Sequence, residues 1–278
     1  MREIDQIYYD LCCMLNRYGK DVAGTKELTN VKIQLKDITQ NIVSIRNISP
    51  AYLFGEWLWY FTGRNSVKFI SSFGSMWSKL TDDGKTNNSA YGYRMKYEFG
   101  FNQIETIIAL LRKDPNSRRA VINLNVPNKN VIETKDEPCT IALQFLIRDD
   151  KLHCTAIMRS NDIWYGFPYD VAFFTELQMY IADRLQIGYG TYTHFDISLH
   201  MYEKDFESIH KIIENPESQE IFYNRKKFHK NSNFIGSLIE VASEHCSREE
   251  IQALTLKFAE EFFDFKMGEK HSAKDKFY

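Results

Sequence analysis

Glycine and proline are scarce in this chain, 13 and 6 among 278 residues. Collagen-like and low-complexity disordered states therefore lack the residues they need, as do folds built on glycine-rich phosphate loops. No apolar run approaches the ~20 residues of a membrane-spanning helix. The opening Met1-Arg2-Glu3-Ile4-Asp5 also lacks the charged-then-apolar pattern of an export segment. Five cysteines, Cys12, Cys13, Cys139, Cys154 and Cys246, make no C-x-x-C and no zinc-spaced set with histidines. An odd number without an export signal points to a reducing compartment, so the expectation is a soluble cytoplasmic protein with no metal. Charge of one sign is missing too. With 35 basic and 37 acidic side chains, no global field draws the chain onto nucleic acid or an anionic membrane. There is no Walker-type loop, no G-x-G-x-x-G, no H-E-x-x-H and no G-x-S-x-G, which leaves triphosphatase, Rossmann, zincin and α/β-hydrolase readings without support.

What is present is a 44% hydrophobic chain rich in aromatics, with a core of ordinary size available to it. It carries no repeat and no Pro/Ser-rich linker, so residues 1–278 read as one α/β domain. Ile4, Ile7, Tyr8, Leu11, Met14 and Leu15 recur at helical spacing. Lys20–Thr25 reads as a loop before a strand, Val31–Leu35. Pro50 opens an aromatic helix closed by Gly63. Asn102 with Glu105 reads as a capping box for a helix carrying Ile104, Ile107, Ile108 and Leu111. Ala120, Ile122, Leu124 and Val126 alternate as a strand. Leu143–Arg148 and Lys151–Met158 flank Asp149-Asp150 as a hairpin, and Val171–Leu185 is apolar enough for a buried helix. Thr191–Tyr202 alternates so that Tyr192, His194, Asp196, Ser198, His200 and Tyr202 share one face. That face either lines a polar cavity or meets solvent. Near the end, Ser247 with Glu250 suggests another capping box, followed by a stripe of Ile251, Leu254, Phe258, Phe262 and Phe265.

Cys139 follows Pro138 at the start of a strand. A single cysteine is more often a small buried hydrophobe than a nucleophile. Its company argues for chemistry. Arg118, Arg119 and Arg159 fall near strand ends and Ser160 adds a hydroxyl, a set suited to a phosphate. An electropositive site also favours a thiolate. The plainer alternative is that these arginines solvate strand ends and pair with acids.

Glu137-Pro138-Cys139, Gln144-Phe145, Arg159-Ser160-Asn161-Asp162, Gly166-Phe167-Pro168-Tyr169-Asp170-Val171-Ala172 and His200-Met201-Tyr202 resemble the thymidylate synthase family in order and spacing. Ser117-Arg118-Arg119, Glu56 within Phe54–Trp59, Trp77 and Tyr91-Gly92 add to the likeness, which covers roughly Tyr18 to Phe206 and leaves 207–278 as a helical C-terminal extension. The resemblance implies a thymidylate synthase-like α/β (α+β) fold, a large mixed sheet packed by helices, with sheets back to back in a homodimer. It implies a pyrimidine nucleoside monophosphate and 5,10-methylenetetrahydrofolate as substrates. Cys139 matches the nucleophile that adds to C6 of the base. Arg159 and Ser160 match phosphate ligands, and Arg118 and Arg119 match arginines that reach the partner subunit's phosphate. Gln144 and Tyr91 fall at family substrate-site and catalytic positions, and His200 and Tyr202 match the pair that holds the sugar 3′-hydroxyl. Trp77, Asp162 and Gly166 match folate-site residues. Glu56 matches the carboxylate that organises water and moves protons around the base.

The departures bear on the substrate. Asp170 stands where synthases carry the asparagine that reads uracil. A carboxyl group suits cytosine, accepting from N4 and meeting N3 through a proton on either partner. Asp here resembles the deoxycytidylate hydroxymethylases. Thr140, Met158, Ser198 and Leu80 differ from the synthase pattern in the same direction, and His271–Tyr278 is unlike the apolar tail that closes synthase sites. Val22 falls where a phosphate arginine is expected, with Lys20 and Lys26 nearby. The expected reaction is 5-hydroxymethylation of dCMP or CMP. The rivals are a CMP-specific hydroxymethylase of nucleoside-antibiotic synthesis, a thymidylate synthase on dUMP, and a non-catalytic nucleotide-binding homologue.

Overall fold

The computed structural model describes residues 1–216, 221–225, 253 and 263–267, and its described residues sort into two units. The first gathers Met1–Asn47, Gln103–Asn125 and the described part of Cys139–Gln219. The second gathers Ile48–Asn102, Val126–Pro138 and the described part of Glu220–Tyr278.

The first unit is built on a seven-stranded mixed sheet. Its strands are β1 (Lys20–Val22), β2 (Thr25–Leu35), β3 (Val121–Asn123), β4 (Thr140–Arg148), β5 (Lys151–Met158), β6 (Asn161–Asp162) and β7 (Gly188–Tyr202). They run in the order β1-β2-β7-β5-β4-β3, with β6 beside β7. β7 is parallel to β5 and β6 and antiparallel to β2. Lys20–Thr25 is not a loop but a hairpin. Ala23 and Gly24 take φ of 48° and 80°, the two-residue turn geometry that lets Val22 face Thr25. Asp149 and Asp150 make the β4–β5 turn in the same way, at φ of 50° and 54°. Strand β3 is shorter than the alternation of Ala120–Val126 suggests, although Ala120, Ile122 and Leu124 are all buried.

Helix α1 (Glu3–Tyr18) packs on β2 through Ile4, Tyr8, Leu11 and Leu15. Met14, expected on that stripe, is exposed, and Cys12 is buried instead. Asp5, also buried, accepts from Ser44 N–H, Ser44 Oγ and Arg2 Nε, which ties the segment after β2 to this helix. In chain order the remaining helices are α2 (Pro50–Thr62), α3 (Val67–Ser71), α4 (Tyr91–Lys96), α5 (Gln103–Lys113), α6 (Phe167–Leu185) and α7 (Phe206–Glu214). α6 lies across β5 and β7 and buries Phe167, Phe173, Phe174, Leu177 and Ile181 on Leu152, Ala156, Met158 and Tyr192. Where β5 and β7 slip in register, Gln178 Nε2 donates to the Leu152 and Gly190 carbonyls at 2.8 and 3.2 Å, which satisfies groups the ladder leaves open. The opposite sheet face carries Gln144, Leu146, His153, Thr155, Ile157, Thr193 and Phe195, all half-buried. Glu105 forks onto Arg184 at 2.8 and 2.9 Å, joining α5 to α6.

In the second unit Ser49 caps α2 by accepting from the Tyr52 N–H, and Gly63 ends it at φ 70°. α4 presses directly on α2. A Cβ on Gly92 would stand 1.9 Å from the Tyr60 carbonyl oxygen, so only glycine permits the approach. A short 3-10 turn, Ser75–Ser78, carries Trp77. Strands β8 (Ile221–Arg225) and β9 (Phe263–Met267) pair antiparallel. Phe265, expected on the stripe of a helical extension, therefore lies on a strand, while Ser247, Glu250, Ile251, Leu254, Phe258 and Phe262 lie outside the described residues. No helix among the described residues is long and apolar enough to cross a membrane.

Candidate active site

The sequence-predicted site residues divide between the two units. In the first, the bulge at the start of β4 and the end of β5 bring Cys139 and Arg159 together. Arg159 N–H donates to the Cys139 carbonyl at 2.8 Å, and Arg159 Nη2 reaches Cys139 Sγ at 3.8 Å. The guanidinium charge sits where it can stabilise a thiolate. Buried beneath, Thr140 Oγ1 donates to Met158 Sδ at 2.9 Å. Arg118 and Arg119 are exposed, on the segment that follows the Asp114–Ser117 turn, and Gln144 Nε2 donates to the Arg118 carbonyl at 3.0 Å. Ser160 is half-buried, next to Arg159.

Beside β7, Asp162 Oδ1 accepts from the Trp164 N–H at 2.8 Å, and burial raises the affinity of its carboxyl for a proton against the pull of His200 and Lys204. His200 and Tyr202 set their rings edge to face at 5.1 Å. Burial, then Asp162, raises the Tyr202 phenol. Gly166 N–H donates to the Asp162 carbonyl. A Cβ on Gly166 would run into Asn161 Oδ1, so a side chain here would have to displace the amide that meets His194. Of the departures noted in the sequence, Ser198 gives its hydroxyl to Glu27, Val22 is 44% exposed, and Lys26 Nζ is engaged by the Asn16 carbonyl and the Phe206 ring. Lys20 is exposed, opposite Glu27.

Asp170 occupies the first turn of α6, half-buried, with its N–H bonded to the Gly166 carbonyl at 3.0 Å. The positive end of the helix favours negative charge there. Its charge reaches Tyr192 and His194 on β7, which lie wholly buried with Asp196. His194 Nδ1 is 2.7 Å from the Tyr192 hydroxyl. His194 Nε2 is 3.0 Å from Asp196 Oδ1 and 2.8 Å from Asn161 Nδ2. Burial opposes a charge on this ring, yet Asp196 and then Asp170 outweigh it and the pKa is raised. The polar face of β7 thus has two fates. Tyr192, His194 and Asp196 are buried under α6, whereas Ser198 and His200 are half-buried and Tyr202 is exposed.

The sequence reading missed a second feature of this unit. Arg46 is only 5% exposed, with its guanidinium 4.7 Å from the Trp164 ring, 5.4 Å from Tyr169 and 5.9 Å from Tyr165. Its Nε and Nη1 have no hydrogen-bond partner among the described residues. Lys204 stands over Tyr165 and Tyr202 at 4.7 and 5.3 Å. A buried cation with donors to spare, walled by rings, suits an aromatic ligand that ends in a carboxylate.

In the second unit Glu56 is 5% exposed, and desolvation pushes its carboxyl up to about 7 against hydrogen bonds from Tyr52 and Tyr60. Tyr91 stacks on Tyr60 at 5.3 Å. Trp77, also buried, meets Trp59 edge-on at 5.1 Å. Among the described residues no group of three or more His, Cys, Asp or Glu is placed to hold a metal ion.

The family model described as thymidylate synthase matches residues 8–268, well past the stretch in which the motifs lie. The deoxyuridylate hydroxymethyltransferase of Bacillus phage SP01 is 29% identical over 220 residues, 72% of this chain and 57% of that protein. A putative thymidylate synthase of Methanocaldococcus jannaschii is 40% identical over 139 residues, 46% of this chain and 63% of that protein. The deoxyuridylate hydroxymethyltransferase of Pseudomonas phage M6 is 32% identical over 162 residues, 57% of this chain and 46% of that protein. The chain spans less than two thirds of the length of each of these relatives.

Proposed function

This chain belongs to the thymidylate synthase family, and from that we propose that it is a folate-dependent 5-hydroxymethyltransferase acting on a cytidine 5′-monophosphate. The reaction joins dCMP or CMP, 5,10-methylenetetrahydrofolate and water to give the 5-hydroxymethyl nucleotide and tetrahydrofolate. Two relatives named as hydroxymethyltransferases support the hydroxymethyl outcome over the methyl one.

The observation that carries the choice of base is Asp170 in the first turn of α6, where the family reads the pyrimidine through an asparagine amide. A carboxylate accepts the N4 amino protons of cytosine and pairs with N3 when N3 carries a proton. Facing uracil, it sets an acceptor against O4. The shared proton can sit on Asp170 or on N3, and in either arrangement the carboxyl matches cytosine better than uracil.

In this mechanism Arg159, Ser160 and the exposed Arg118 and Arg119 hold the phosphate, the last two across a homodimer. The half-buried sheet face of Gln144, Thr155, Ile157, Thr193 and Phe195 is the surface on which two copies pack. His200 and Tyr202 take the sugar 3′-hydroxyl. Cys139 adds to C6, and C5 takes up the one-carbon unit that methylenetetrahydrofolate supplies. C5 then gives up its proton and tetrahydrofolate is expelled, which leaves an exocyclic methylene on C5 while Cys139 stays bonded to C6. Glu56, its carboxyl pushed up to about 7 by burial, takes a proton from the water that adds to this methylene, and Cys139 then leaves C6 as the C5–C6 double bond re-forms. The C5 proton and one water proton end on the two folate nitrogens released. Trp77 and Asp162 bear on the folate ring, and Arg46 on its glutamate carboxylate.

The names of the phage relatives favour a second reading, with dUMP as the acceptor. Mass spectrometry of reactions with dCMP, CMP or dUMP separates the two. A gain of CH2O on a cytidine nucleotide is expected, and the dCMP-to-CMP ratio gives the sugar preference. The same gain on dUMP alone overturns the cytidylate assignment, and a gain of CH2 on dUMP makes this a synthase. No product with any nucleotide favours a binding protein.

A further inference from the structure

Glu56 is held by a phenol one turn earlier on its own helix, and that phenol is held in turn by an indole. Tyr52 Oη donates to Glu56 Oε1 at 2.8 Å and accepts from Trp77 Nε1 at 2.9 Å. The spacing of four residues places Tyr52 and Glu56 on one face of α2. The phenol ring has little room to leave. A Cβ on Gly74 would meet its edge at 2.9 Å, and Trp77 is wedged against Trp59. The three groups form a chain with one direction, indole N–H to phenol O–H to carboxyl. In such a chain each donor strengthens the next, and the ionised carboxyl is the better final acceptor.

We propose that Tyr52 is a positioning residue for this reaction, fixing one oxygen of the Glu56 carboxyl and coupling that carboxyl to whatever ring rests on Trp77. The inference rests on the proposed function in giving Trp77 to folate and Glu56 to proton transfer. A ligand that diverts the Trp77 N–H weakens the phenol as a donor and draws a proton onto Glu56. By reciprocity, the proton on Glu56 alters the hold on that ligand.

The groups facing Glu56 leave this chain its main control. From α2 come Tyr52 and Tyr60, the two side chains that act on the carboxyl. The 3-10 turn contributes Trp77, which does not titrate. From α4, Tyr91 lies behind Tyr60, while Arg94 and Lys96 bond the Asn88 and Phe61 carbonyls. From α3, Val67, Phe69 and Ile70 are buried and Lys68 is exposed.

Infrared titration of the buried carboxyl band, assigned by its loss in Glu56→Gln, tests the proposal without turnover. Wild type is expected to titrate near 7. Tyr52→Phe should move the midpoint up by about one pH unit, the worth of one hydrogen bond to a charged group. Trp77→Phe should move it the same way by less. Folic acid should shift the midpoint of wild type and leave that of Tyr52→Phe in place. Equal midpoints in wild type and in the folded variants overturn the coupling, with Trp77→Phe deciding alone if Tyr52→Phe does not fold. Shifted midpoints with no product from any nucleotide would leave the coupling intact and remove the proposed function. Product formation with unmoved midpoints would do the reverse.

Discussion

Arg159 is bound to Cys139 twice over, once through its backbone N–H on the Cys139 carbonyl and once through its guanidinium against the sulfur. The second contact places positive charge where a thiolate would form. Replacing it should slow Cys139 alkylation by iodoacetamide by about tenfold in Arg159→Gln, with Arg159→Lys in between. Peptide mass spectrometry reads the rate on the Cys139 peptide apart from those that carry Cys12, Cys13, Cys154 and Cys246. Equal rates in wild type and Arg159→Gln would remove the guanidinium from any role in activating the sulfur.

Glu56 makes stability depend on pH with a definite sign. In the unfolded chain its carboxyl ionises at the ordinary 4.5, whereas the folded chain keeps the proton up to about 7. Stability is therefore full below 4.5, falls as pH rises through this window by about 3 kcal/mol, and is level above it. Urea melts of Glu56→Gln against wild type should show the variant gaining that amount between the two limits. The same variant should still form the Cys139 adduct while losing hydroxymethyl product, and loss of both would rule out the assigned role.

Asp170→Asn restores a side chain that can donate as well as accept. The ratio of kcat/KM for dCMP to that for dUMP is expected to fall by 10- to 100-fold, following the ~1–3 kcal/mol of a mismatched bidentate pair. An unchanged ratio would show that base choice is made elsewhere.

Phe195 and Ile157 sit together on the half-buried sheet face. A charge there, as in Phe195→Arg, should convert a dimer to monomers in sedimentation. If the dimer forms, mixing inactive Cys139→Ser with inactive Arg118→Glu should recover part of the activity, because one of the two sites in the hybrid is intact. A monomeric wild type would remove Arg118 and Arg119 from the phosphate site.

Where local physics decides structure, the sequence was readable. Pro50 and Gly63 bracket α2 because a proline suits a first turn and a glycine accepts φ 70°. The Asp149-Asp150 hairpin and the apolar run of α6 stand where periodicity put them. Lys20–Thr25 was misread because Ala23 is an unusual residue for positive φ and hid the turn. Of the candidate site, Cys139, Arg159 and Glu56 stand out through motif order alone. Arg46, Tyr52, His194 and Asp196 stand out less, because their meaning comes from tertiary neighbours. Arg46 matters through three rings drawn from the turn before α6 and its start. Tyr52 matters through an indole 25 positions away. The even spacing of His194 and Asp196 flagged a polar face, but only the packing of α6 separates its buried half from its open half.

Strand β2 finds its long partner very late. Thr25 pairs with Tyr202 and Leu35 with Tyr192, so at cellular elongation rates roughly 10–30 s pass before the second edge leaves the ribosome. Through that interval an eleven-residue strand has helix α1 on one face and only a three-residue hairpin mate beside it, with its other edge open to any neighbouring chain. High contact order adds slow closure once synthesis ends. How much of the chain reaches the native sheet thus depends on how well this second strand is shielded until the seventh arrives.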